Sequence, residues 1–94
     1  MSEDLVLEGS GGSITVPGGV LDRLVRRAAE EVDGVSARKR GTSVSRERVT
    51  VGLTVRYGDV LPVAAEAVQR RVVQALREAC ELEPVVDVSV EELQ

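Results

Sequence analysis

The chain has 94 residues, 43% of them hydrophobic and 30% charged, with a formal net charge of -4. That is one small domain, with the balance of a globular protein rather than a disordered one. It has no His, a single Cys (Cys80) and one Tyr as its sole aromatic; this excludes a His-based triad, a Cys/His zinc site and an internal disulfide, and requires an aliphatic core.

Residues 1–12 hold the apolar patch Leu5-Val6-Leu7 followed by Gly9-Ser10-Gly11-Gly12. They read as a flexible lead-in, with an extra strand or a partner-binding tail as the alternatives. The glycine run opens no helix, so it is not read as a phosphate-binding turn. Ser13 to Val16 alternates as a short strand, and Pro17-Gly18-Gly19 ends it. Val20, Leu21, Leu24, Val25, Ala28, Ala29 and Val32 then recur at helical spacing. Arg26 with Glu30 and Arg27 with Glu31 are spaced to pair on the opposite face, each worth about 0.3–0.5 kcal/mol. Asp33-Gly34 is expected to close the helix, with Gly34 as a left-handed cap.

Val35 to Arg40 reads as a short basic strand and Gly41-Thr42-Ser43 as a turn. The clearest strand follows: Val49, Val51, Leu53, Val55 and Tyr57 on one face, Thr50, Gly52, Thr54 and Arg56 on the other. Its closeness to the preceding strand favours an antiparallel hairpin. Gly58 turns the chain, and Asp59 is the expected N-cap of a second helix with Pro62 in its first turn. That helix carries Leu61, Ala64, Ala65, Val68, Val72, Ala75, Leu76 and Ala79 on one face, with Glu66–Arg70, Gln74–Glu78 and Arg77–Glu81 spaced to pair outside. Pro84 stops it, and Val86, Val88 and Val90 mark a last strand. The order β-α-β-β-α-β predicts a two-layer α+β fold over 13–94, both helices on one face of a small mixed sheet. A crossover through the second helix places the last strand parallel to the long one.

Charge is uneven. Residues 34–58 hold Arg38, Lys39, Arg40, Arg46, Arg48 and Arg56 against one acid, Glu47, whereas the last seventeen residues hold six acids and no base. The basic hairpin residues Arg38, Lys39, Arg40, Arg46 and Arg48, with Tyr57, are the candidate protein-contact residues. A solvated hairpin is the plain alternative for the bases, and a core or turn-packing role the plain alternative for Tyr57. Glu30, Glu31 and Asp33 cluster at a helix end but read as solvated ion pairs rather than catalytic carboxylates. Cys80 reads as a small buried hydrophobe. No apolar run reaches the roughly 20 residues a membrane span needs, and the acidic start Met1-Ser2-Glu3-Asp4 is unlike a signal peptide, so a cytoplasmic protein is expected.

The ordered set Gly12-Ser13-Ile14-Thr15-Val16, Val20-Leu21, Ala28-Ala29-Glu30-Glu31-Val32-Asp33-Gly34-Val35, Val55-Arg56-Tyr57-Gly58, Leu61-Pro62, Ala64-Ala65, Val68-Gln69, Val72 and Val86-Asp87-Val88-Ser89-Val90 resembles the alkaline shock protein family of Gram-positive bacteria. The resemblance covers roughly residues 11–93. It implies a non-enzymatic envelope stress response protein with no cofactor, metal or small-molecule substrate. It further implies a cytoplasmic protein that self-associates as a homo-oligomer and is held at the membrane by a small membrane-anchored partner. Two departures stand out: the segment between the hairpin strands is cut to about Gly41–Ser45, and Cys80-Glu81 replaces a Thr-Gly after the second helix. A small RNA-binding module using the basic hairpin is the second class considered. The chain lacks a Gly-x-x-Gly clamp between two helices and aromatics for base stacking.

Overall fold

A computed structural model describes residues 2–94. The alternating segment forms the central strand of a three-stranded sheet, and the rest of the fold is arranged around it. In chain order the elements are β1 (Leu5–Gly9), β2 (Gly12–Val16), α1 (Gly18–Ala29), β3 (Val35–Val44), β4 (Arg48–Val55), α2 (Leu61–Cys80) and β5 (Val85–Leu93). β4 pairs antiparallel with β3 and parallel with β5, giving the order β3-β4-β5. This is the expected α+β arrangement, with α2 as the crossover between the parallel strands.

Val49, Val51, Leu53 and Val55 of β4 are fully buried. They meet Leu21, Val25, Ala28 and Ala29 of α1 and Ala64, Val68, Val72 and Leu76 of α2 in one aliphatic core. The three-and-four spacing of those helical residues puts each set on a single stripe, which is why both helices lie on the same side of the sheet. Val20, expected on the α1 stripe, is exposed at the helix start, and Val90 near the end of edge strand β5 is half-exposed.

The opposite face of the sheet carries polar residues and two glycines. A Cβ on Gly52 would lie 2.8 Å from the Gly41 Cα, and one on Gly41 would lie 2.9 Å from the Gly52 Cα. Only glycines allow β3 and β4 this approach, and the Glu91 carboxylate lies over both. Gly41-Thr42-Ser43 is therefore part of β3, not the expected turn. The strand has an irregular step between Arg38 and Ser43 and continues to Val44. The reversal comes at Ser45–Glu47, where Ser45 N–H donates to Arg48 O (2.9 Å) and Arg48 N–H to Ser45 Oγ (3.2 Å).

The N-terminal stretch departs furthest from expectation. In place of a flexible lead-in, β1 and β2 form an antiparallel hairpin of their own, with Leu5 opposite Val16, Leu7 opposite Ile14 and Gly9 opposite Gly12. Ser10-Gly11 is the two-residue loop between them. β2 thus belongs to this separate sheet rather than to the mixed one. The hairpin is anchored at its base, where Leu5 is buried, Glu3 N–H donates to Val44 O (3.1 Å) and Asp4 Oδ1 accepts from Gly18 N–H (2.7 Å).

The helix ends also differ. Asp59 does not cap α2: the cap position is Val60, without a side-chain bond, and Asp59 Oδ2 sits where a Cβ on Gly34 would come within 2.6 Å of it. α1 ends at Ala29 with Glu30 at its C-cap, and Gly34, at φ 80°, turns the chain into β3. At the end of α2 the left-handed residue is Glu81, φ 56°, the one non-glycine residue with positive φ among the described residues. Glu81 N–H donates to Arg77 O (3.0 Å) and Leu82 N–H to Leu76 O (3.3 Å) while Leu82 is buried, a Schellman-type ending built without glycine.

Two stability outcomes follow. Val51→Asp places an unpaired carboxylate in the core at a cost of about 4 kcal/mol or more, most of the stability of a small domain, and abolishes the cooperative melt seen by circular dichroism. Glu81→Gly relieves the left-handed conformation, stabilises the fold by about 1 kcal/mol and raises the melting temperature by about 4–8 °C.

Candidate functional site

The β3–β4 hairpin carries the basic residues singled out in the sequence, and the sheet decides their partners. β5 lies beside β4, so its acids face the hairpin's bases across the helix-free side. Arg38 Nη1 is 2.8 Å from Glu92 Oε2 and its Nε 3.5 Å from Glu91 Oε2. Arg48 pairs with Asp87 at 2.5 Å. Arg46 turns toward the N-terminal hairpin and donates to Val6 O. Lys39 and Arg40 are exposed and make no ion pair among the described residues. They border a hollow of about 390 Å³ with Gly18, Gly19 and Asp22. Five basic side chains adjacent in sequence are thus divided: two neutralised by the C-terminal strand, one tied to β1, two open to solvent.

The other acids of interest are also engaged, though not as helical spacing predicts. Arg26 bonds Asp22 (3.2 Å) rather than Glu30. Glu30 Oε2 accepts from Ala37 N–H (3.1 Å) and so covers part of the free edge of β3. Glu31 lies 3.5 Å from Arg71 rather than pairing with Arg27. On α2, Gln74 bonds Glu78 (3.0 Å) as expected, while Arg77 reaches Glu83 (2.7 Å) instead of Glu81, and no Glu66–Arg70 pair forms. Glu83 follows the left-handed turn at Glu81, which brings the chain back toward the last turn of α2. Among the described residues no group of His, Cys, Asp or Glu is placed to hold a metal ion, and no helix is long and apolar enough to cross a membrane.

Tyr57 is neither in the core nor packed on the turn. β4 ends at Val55, Arg56 N–H donates to Gly34 O (3.0 Å), and Tyr57 N–H donates to Gln94 O. This leaves the Tyr57 side chain 78% exposed beside Val60 (64%) and Val63 (63%) at the entry to α2. Val60 and Val63 are one turn apart and so share a side of the helix. Sequence reasoning missed these two valines because they precede and interrupt the apolar stripe of α2. The available signal was their position outside the three-and-four pattern, directly after the turn at Gly58. Cys80 is half-buried at the far end of α2, where it packs against the core, and burial pushes its thiol up from its ordinary value.

Comparison with known proteins finds no match to a protein-family model, to a curated protein or to a solved structure.

The ion pairs separate the roles of neighbouring bases. Reversing Lys39 and Arg40 to Glu leaves the melting temperature within about 2 °C of the parent, as for surface changes away from partners. Arg38→Glu sets a third carboxylate against Glu91 and Glu92 and lowers stability by about 1–2 kcal/mol, read as a fall of roughly 5–10 °C.

Proposed function

We propose that this chain is a non-enzymatic adaptor of the envelope stress response that acts through contacts with other proteins and with copies of itself. The observation that carries the protein-contact part is the exposed apolar group Tyr57, Val60 and Val63, three large side chains within seven residues that are each more than 60% exposed. Such a cluster on a small chain marks an interaction surface, and an aromatic anchor flanked by valines suits one. The same patch on a second copy offers a self-complementary contact of the two-fold kind. The envelope setting, the cytoplasmic location and a membrane-anchored partner rest on the resemblance to the alkaline shock protein family.

The RNA-binding reading depends on the basic hairpin. Arg38 and Arg48 are held by acids of β5 and Arg46 is directed at Val6 O, which leaves Lys39 and Arg40 as the hairpin cations without a partner among the described residues. Two open cations and a net charge of -4 favour the protein-contact reading.

Sedimentation velocity over a concentration series tests it. The parent chain shifts to a larger species as concentration rises. The double variant Tyr57→Ser, Val63→Ser keeps the parent's melting temperature, because both side chains are exposed, and weakens self-association by about tenfold or more. A parent that remains monomeric throughout, or a variant that associates equally well, overturns the self-association proposed for this patch.

A further inference from the structure

A second apolar surface lies at the other end of α2, about 30 Å from the Tyr57 patch along a 20-residue helix. Here the N-terminal hairpin stands away from the end of α2 and leaves a groove of about 830 Å³. Leu7 and Ile14 are cross-strand partners, so their side chains lie on one face of the hairpin. With Ala79 and Leu82 they give the groove its apolar lining, and Ile14 is 66% exposed.

The polar lining is one-sided. Glu8, Glu78 and Glu81 border the groove, and none of the three pairs with a cation. Glu78 accepts only a neutral bond from Gln74. The one base present, Arg46, is directed at Val6 O. Glu81 holds its carboxylate there from a left-handed backbone position that glycine would occupy without strain. A partly apolar trough bordered by three unpaired carboxylates against one arginine complements a segment that is apolar on one side and basic on the other.

We infer that this groove docks a basic amphipathic segment of a partner protein, its apolar side chains against Leu7 and Ile14 and its Lys or Arg side chains on Glu8, Glu78 and Glu81. Cations on the segment relieve the repulsion among the three acids, and the apolar floor fixes its position. The inference does not need the self-association proposed above, which uses the opposite end of α2.

A synthetic amphipathic peptide of leucine and lysine, titrated into the isotope-labelled full chain, tests it through amide chemical shifts. Saturable shifts centred on residues 6–9, 14 and 78–82 are expected, and a peptide with glutamate in place of lysine gives none. Ile14→Ser, at an exposed position, weakens the lysine peptide by about fivefold or more. Glu81→Gly weakens it similarly while raising the melting temperature, so the loss cannot come from unfolding. Shifts spread over acids elsewhere, such as Asp33 and Glu66, overturn the site, as does an absence of binding. Unchanged affinity in Glu81→Gly overturns the role given to the carboxylates. If the same amides move when the protein alone is diluted, the occupant is a second copy and the basic partner is overturned.

Discussion

Strand β4 has to satisfy two different faces at once, and most of the structure is a consequence of how it does so. On one face Val49, Val51, Leu53 and Val55 supply the floor on which both helices pack. On the other, Gly52 leaves room for Gly41 of β3 and for the Glu91 carboxylate that lies across them. With no Phe or Trp available, the core is filled by branched aliphatic side chains, whose fit tolerates little change in volume. A polar residue on the first face or a side chain at Gly52 on the second would disturb all three strands together, because β4 is the only one bonded to both neighbours.

The parallel pairing of β4 with β5 has an electrostatic effect as well as a structural one. It brings Asp87, Glu91 and Glu92 beside Arg48 and Arg38, so two bases of the chain's basic middle are compensated by three acids of its end within one molecule. Exposed pairs of this kind add little stability individually. Their larger effect is on what the surface offers to others: a sheet face on which Arg38 and Arg48 are neutralised, between two exposed apolar regions at opposite ends of α2. One is the cluster at Tyr57, with a cation and an anion nearby in Arg56 and Asp59. The other is the trough beside the N-terminal hairpin, where acids predominate. Surfaces that differ in this way suit contacts of different kinds.

Elements with a buried face were legible in the sequence. Helices α1 and α2 and strand β4 each repeat apolar residues at the period of their own geometry, and the crossover rule then placed β5 beside β4. The Ser13–Val16 strand is read from its alternation, but its pairing with Leu5–Gly9 is not, because Leu5-Val6-Leu7 is too short an apolar patch to show a strand's period; the two-residue Ser10-Gly11 loop between Leu7 and Ile14 is the signal for the hairpin. Gly41 reads as a turn residue in the sequence because its reason for being glycine, the approach of Gly52, is a tertiary contact. The ion pairs failed for a similar reason. Helical spacing ranks local partners, whereas Arg48 and Asp87 are 39 residues apart and Arg38 and Glu92 are 54 apart. Tyr57 continued the alternation of β4 on paper, but the strand ends two residues earlier. Of the candidate contact residues, Tyr57, Lys39 and Arg40 are open to solvent, and the sequence could not separate the last two from Arg38 and Arg48, which are ion-paired.

A firm three-stranded body carrying a hairpin anchored at its base is the arrangement on which the proposed groove depends. Amide hydrogen exchange resolved by residue tests it most directly. The amides of Val49 to Val55 in β4 should exchange slowest, at the rate set by global unfolding, while those of Leu7 and Ile14 in the N-terminal hairpin exchange through local opening and far faster. Protection of the hairpin equal to that of β4 would mean that it is an integral part of the folded body, and would contradict the view that its apolar face is left open for a partner.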